Sequence, residues 1–242
     1  MRFLLLSLPL LALAAPAFAD DIVAGRPGNT ESPVAVAVGH WQVESELGSW
    51  SRGDGQESWS ALSTDIRYGL APGWDAEAIV SPINHGDGET GFGDTTLRLR
   101  HMLTDPSSQG PAVALIGFVT LPTATDHQGD GGVEGGLIGT GTFALSDANG
   151  VTWTVGGASV SNNGDDQSDV FGGVALSHQF TSKVGASVEA FADRTDHETA
   201  TTIDLSATYL SDPHTQWDCG ADLGVSAAAD DVRLFAGWSH LF

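Results

Sequence analysis

From Val36 to Phe242 the chain repeats one pattern: roughly ten residues of alternating apolar and polar positions, then a cluster of Gly, Pro, Asn, Asp or Ser. Alternation with period two marks a strand with two unlike faces. The segments predicted as strands are Val36–Trp50, Ser58–Leu70, Trp74–Ile83, Asp94–Leu103, Ala112–Leu121 and Val133–Leu145 in the first half. Val151–Ser161, Asp169–Phe180, Val184–Asp193, Ala200–Leu210, Thr215–Val225 and Val232–Phe242 follow. In the second of these, Leu62, Thr64, Ile66, Tyr68 and Leu70 share one side and Asp65 and Arg67 the other. Asp75 and Glu77 oppose Trp74, Ala76, Ala78 and Val80 in the third, and Arg98 and Arg100 oppose Leu97, Leu99 and Leu103 in the fourth. The tenth and eleventh repeat this with Asp204, then Asp218 and Asp222, on the charged side. No helical period competes anywhere after the first twenty or so residues.

The connections sort by parity. Those after the second, fourth, sixth, eighth and tenth strands are short, whereas those after the odd strands are mostly longer and more acidic. An even number of strands, about twelve, with alternating short and long connections is the pattern of an outer-membrane β-barrel. Closure also removes the free sheet edge that lipid does not tolerate. The last strand, VRLFAGWSHLF, places Phe242, Trp238, Ala236 and Leu234 on one face and ends the chain on Phe. Trp238 and Phe242 therefore look like an assembly signal read by the barrel-assembly machinery. The fold class predicted is all-β: a single antiparallel up-and-down transmembrane barrel of about twelve strands. A soluble sandwich, with the charged faces turned to water, is the alternative that alternation alone leaves open.

The amino terminus supports export. Arg2, an apolar run from Phe3 to about Ala15, and Ala17-Phe18-Ala19 read as a signal peptide over 1–19, cleaved after Ala19. The run is shorter than the roughly 20 apolar residues of a spanning helix. Residues 20–35 are polar with Gly and Pro and read as a flexible lead-in, and 36–242 as the barrel. Trp41, Trp50, Trp59, Trp74 and Trp217 fall near strand ends, where interfacial girdles sit. The expected location is the outer membrane, among its lipids and lipopolysaccharide.

Charge narrows the function. Lys and Arg number 9 against 31 Asp and Glu, for a net charge of −22, which repels nucleic acid. The single cysteine, Cys219, has no partner for an internal disulfide and lies on the predicted lipid face. The inward charges Asp65, Arg67, Asp75, Glu77, Arg98 and Arg100 lie on three consecutive strands. They are candidates for a lumen site that sets permeation, or for cross-strand pairs that only support the wall. The acidic Gly-rich loops, HGDGETGFGD and NNGDDQSD among them, have no EF-hand spacing. Ser177–His178 and Ser239–His240 are adjacent on a strand and so face opposite sides, and no G-x-S-x-G elbow occurs. His85, His127 and His197 share the longer loops without a ligand spacing. The sequence predicts no enzyme, no cofactor and no metal site.

Three segments carry a family resemblance: GFGDTTLRLRH (Gly91–His101), GFVTLPTATDHQGDGG (Gly117–Gly132) and DCGADLGVSAAADDVRLFAGWSHLF (Asp218–Phe242). They resemble the MetA-pathway of phenol degradation family of outer-membrane transport proteins. The resemblance implies a single barrel and uptake of hydrophobic or aromatic compounds, and it brings no catalytic residues. The function expected is passive uptake of a small-molecule solute through a narrow, selective lumen, with Arg67, Arg98 and Arg100 near the path. The alternative is a non-conducting structural or surface-interaction barrel.

Overall fold

The computed structural model describes residues 21–104, 110–125, 128–129, 131–162, 165–196 and 198–242. The predicted signal peptide and the loop residues His127 and His197 lie outside them. Every regular element described is a strand: β1 (Trp41–Gly53), β2 (Gln56–Ala61), β3 (Ser63–Ala71), β4 (Trp74–Val80), β5 (Ile83–Gly86), β6 (Glu89–Gly91), β7 (Thr95–Met102), β8 (Ala112–Leu121), β9 (Glu134–Ser146), β10 (Asn149–Asn162), β11 (Asp165–Gln179), β12 (Val184–Thr195), β13 (Thr199–Asp212), β14 (Thr215–Gly224) and β15 (Val232–Leu241). Chain neighbours pair antiparallel from β7 to β15, and β15 pairs back onto β1 with Gln42 opposite Leu241 and Arg52 opposite Val232. The result is a closed barrel of twelve staves: β1, β3, β4 and β7 to β15.

The three remaining strands extend the wall at the long-loop end. β2 continues the line of β3 past Leu62, whose φ of 61° breaks the ladder. β5 continues β4 past Ser81-Pro82, where proline has no N–H to give. The predicted second and third strands are thus each cut in two. Asp54-Gly55 and Asp87-Gly88 both take positive φ and turn the β1–β2 and β5–β6 hairpins, as the right-handed strand twist requires.

The faces are those of a membrane barrel. Leu97, Leu99, Leu205, Leu223 and Leu234 point outward and are exposed, while Arg67, Arg100, Asp75 and Asp204 point inward and are at most 1% exposed. A soluble barrel puts its apolar side in the core. Here the apolar side is the outside, and only lipid makes that arrangement favourable. Aromatic rings mark both rims. Trp41 lies against Tyr68, and Trp74 stacks on His101 at 3.9 Å, at the short-turn end. Trp50 pairs with Trp59, which stacks on His85, toward the other rim. Cys219 is exposed on the lipid face.

β1 begins at Trp41 rather than at the predicted Val36. Residues 21–40 form no strand and lie within the barrel. The segment enters at the short-turn end, where Ile22 N–H donates to the Pro213 carbonyl and Ile22 packs on Val36 and Leu241. It rises along the lumen, turns near Asn29, and descends to leave beside β3. There Gly39 and His40 exchange backbone bonds with Gly69 and Ala37. A Cβ at Gly69 would meet the Ala37 carbonyl oxygen at 2.0 Å, so only glycine lets the chain leave by this route.

Candidate functional site

The lumen site is built from two walls and the segment between them. On one wall, register sets the charges opposite each other. β3 and β4 pair Arg67 with Glu77, and β4 and β7 pair Asp75 with Arg100 and Glu77 with Arg98. Inward residues at paired positions have Cβ atoms about 5 Å apart, close enough for their long side chains to meet. The Arg67 guanidinium reaches Asp75 at 2.7 Å, Glu44 at 3.2 Å and Glu77 at 3.4 Å. Arg100 pairs with Glu77 and lies 3.6 Å from Asp75. Asp65 lies next in this row but forms no ion pair, and its Oδ1 has no hydrogen-bond partner. The six candidate residues therefore share one wall, and five of them form a single network.

That network holds the inner segment as well as itself. Arg67 donates to the Val34 carbonyl at 2.8 Å, Arg100 to the Ser32 carbonyl, and Arg98 to the Glu31 carboxylate. Asp75 accepts the Val36 N–H at 2.8 Å, and Glu44 accepts those of Gly25 and Arg26. A lone buried ion pair is a poor source of stability, because desolvation offsets the attraction. Here part of the remaining hydrogen-bonding capacity goes to backbone groups of the segment that would otherwise be buried unpaired, while Arg67 Nε, Asp75 Oδ1 and Glu77 Oε2 keep no hydrogen-bond partner.

The opposite wall, β9 to β14, uses different chemistry. Glu189 accepts the N–H groups of Asn29 at 2.8 Å and Thr30 at 2.9 Å, and the Thr30 hydroxyl at 2.7 Å. Thr154 accepts the Glu31 N–H, and Thr140 donates to the Glu31 carbonyl. Arg26 reaches across to Asp218 at 2.9 Å and Glu46 at 3.4 Å. Gly156 and Gly173 leave room for the inward rings of Phe171 and Phe191, since a Cβ at either would lie within 2.6 Å of a ring carbon.

The segment divides the lumen into cavities. A vestibule of about 650 Å³ opens at the long-loop end. Its lining carries the hydroxyl pairs Ser49–Ser60, Ser51–Ser58 and Ser63–Ser81, and its floor holds Arg26, Glu46 and Arg233. A second cavity of about 400 Å³, with Glu44, Asp65 and Arg98 on its wall, lies above residues 25–31. A third, of about 250 Å³, lies between residues 23–34 and β9 to β13, with Glu189 in its lining. Gly25, Arg26, Pro27, Gly28 and Thr30 border both of these last two, so this stretch is the partition between them. Among the described residues, no three His, Cys, Asp or Glu side chains are grouped as metal ligands would be.

Residues 24–242 match the family described as "Putative MetA-pathway of phenol degradation". The chain belongs to this family. No curated protein matches it in sequence. Among solved structures it is similar to an outer membrane channel from Pseudomonas putida F1, with a TM-score of 0.64 and 12% identity. That likeness covers 90% of this chain and 99% of the channel. It is also similar to the NanC porin, with a TM-score of 0.59 and 11% identity over 84% of this chain and 99% of the porin. At such identities the likeness is one of fold: this chain shares the closed β-barrel of these two outer-membrane proteins.

The six predicted lumen residues are together, and Glu44, Glu46, Arg26, Glu31 and Glu189 join them without having been predicted. Glu44 and Glu46 alternate with Gln42 on one face of β1, a period-two signal that marks them as inward. Arg26, Glu31 and Glu189 carry no such signal, because their partners lie in a segment without periodicity. Of the residues read as an assembly signal, Trp238 lies on the outer face opposite Trp217, and Phe242 is exposed with its N–H bonded to the Trp41 carbonyl.

Proposed function

We propose that this chain is an outer-membrane channel for passive entry of small solutes, with residues 25–30 as its barrier. The observation that carries the reading is the partition: cavities of about 400 and 250 Å³ lie on the two sides of one irregular stretch. The barrel wall is continuous, whereas the barrier is a strap held by side-chain contacts. In this orientation the vestibule faces outside and both ends of the strap face the periplasm. The family description points to aromatic compounds, and the serine hydroxyls of the vestibule suit solutes that can hydrogen-bond, phenols among them. Trp238 and Phe242 serve insertion by the assembly machinery. Deleting Phe242 lowers outer-membrane levels without changing the conductance of the barrel that does form.

The test is single-channel recording and liposome swelling with purified protein, alongside a variant lacking residues 21–37. The intact protein gives small currents and the deletion larger ones. A deletion variant that folds, keeps heat-modifiable mobility and passes no more current than the intact barrel refutes the barrier. The rival, a non-conducting structural barrel, draws on the sealed packing of Arg67, Asp75, Glu77 and Arg100, all at most 3% exposed. Absence of flux for any solute in both proteins favours it.

A further inference from the structure

The lumen does not treat its two signs of charge alike. Among the described residues, Arg26, Arg67, Arg98, Arg100 and Arg233 face the lumen, and each bridges at least one carboxylate. Asp65, Asp169, Glu189, Asp193 and Asp204 face it without an ion pair, and all but Asp65 lie on the contiguous strands β11, β12 and β13. An anion entering finds each guanidinium already engaged. A cation finds carboxylates that no guanidinium engages.

One residue makes the asymmetry acute. Glu189, Asp204, Asp222 and Arg233 occupy a single row across β12 to β15, each directly opposite the next. Arg233 engages Asp222 at 2.9 Å, and Glu189 is occupied by the strap's N–H groups. Asp204 lies between these two carboxylates, 1% exposed, and neither of its oxygens has a hydrogen-bond partner. A buried carboxylate without a partner is costly, and it stays ionised only where a cation lies beside it. On the path itself, Asp65 lines the cavity of about 400 Å³ with one oxygen unpartnered.

We infer that the lumen selects for positive charge, so that among charged solutes it passes inorganic cations and small molecules bearing an ammonium group in preference to anions. The inference rests on the channel reading and names the charge class of what passes. The charge imbalance acts through the potential it sets along a narrow low-dielectric path, where opposite charges are concentrated and like charges excluded.

The test is the reversal potential of the purified full chain in a planar bilayer across a KCl gradient, repeated with ethanolammonium chloride replacing KCl. Both cations pass in preference to chloride. The double variant Asp65→Asn, Asp204→Asn lowers the potassium-to-chloride permeability ratio by about threefold, a change expected from removing two lumen charges. Should the double variant fail to fold, as judged by heat-modifiable mobility, Asp65→Asn and Asp193→Asn replace it. Currents that favour chloride, or neither ion, overturn the inference and leave the channel intact. A potassium preference that neither set of variants lowers overturns its assignment to these carboxylates. An intact barrel that passes no current overturns the channel reading, and this inference with it.

Discussion

The two walls of the lumen carry similar acidic side chains and use them differently. On the β1–β7 wall, Glu44, Asp75 and Glu77 surround the guanidiniums of Arg67 and Arg100, and the charges close on one another. On the β11–β14 wall no buried guanidinium is interleaved among the described residues. Glu189 takes backbone N–H groups from the strap, Asp218 takes Arg26 from it, and Asp204 takes nothing. The first wall is self-sufficient: its network would persist in large part without the strap. The second depends on the strap for the donors at Glu189 and the counter-charge at Asp218, and among the described residues only Asp222 has a barrel guanidinium, that of Arg233 on β15. An anchored but removable barrier needs that asymmetry, because equal dependence on both sides would tie its release to collapse of the wall.

The largest expected effect comes from breaking the self-sufficient wall. Arg67→Ala leaves Glu44, Asp75 and Glu77 without their shared cation in a buried site. Removing one partner from a buried charge network costs ~3–5 kcal/mol, so folding yield and the urea midpoint both fall. A midpoint within error of the parent would show that the network adds nothing to the barrel. The next effect comes from the dependent wall. Glu189→Ala strands the N–H groups of Asn29 and Thr30, at a cost of ~1–3 kcal/mol that falls on the strap rather than the barrel. Conductance therefore rises and protease reaches residues 25–30 more readily, while heat-modifiable mobility stays as in the parent. If the barrel itself loses stability to the extent seen with Arg67→Ala, the two walls are not distinct.

How much of this the sequence shows depends on whether a feature repeats. β8 spans Ala112–Leu121, the bounds that alternation predicts, and Arg233 and Ser239 face inward where period two puts them. Lipid on one side and water or charge on the other constrain every second residue, so facing is written at each position. The cross-strand pairs Asp75–Arg100 and Glu77–Arg98 are legible for the same reason, once adjacent strands are known to pair. The strap is not. Its place is set by backbone N–H and carbonyl groups meeting Glu44, Glu189, Arg67 and Arg100, and a backbone group leaves no trace in residue identity. Gly, Pro and polar residues in 21–35 read the same way whether the segment hangs in solvent or crosses a lumen. The splits at Leu62 and Ser81-Pro82 were half legible: the proline is visible, whereas nothing about a leucine announces a φ of 61°.

The smallest effect, and the sharpest for locating the path, comes from Arg98. It joins the two systems, with its guanidinium 2.5 Å from Glu31 on the strap and 3.9 Å from Glu77 on the wall. Unlike Arg67 and Arg100 it is partly exposed, at 19% for the side chain, and borders the cavity of about 400 Å³. A pair with this access to solvent is worth ~1 kcal/mol or less, so Arg98→Ala should move the urea midpoint little. Its removal nevertheless takes a positive charge from the cavity wall and leaves Glu31 facing Asp65 with less to oppose it. Cation preference should then rise, in the direction opposite to Asp65→Asn. If solutes instead pass beside β11 to β13, away from this cavity, both substitutions leave the reversal potential where it was and only Asp193→Asn or Asp204→Asn moves it. Opposite shifts from Arg98→Ala and Asp65→Asn place the path along the self-sufficient wall, and the dependent wall then acts mainly as the anchor that the strap must leave.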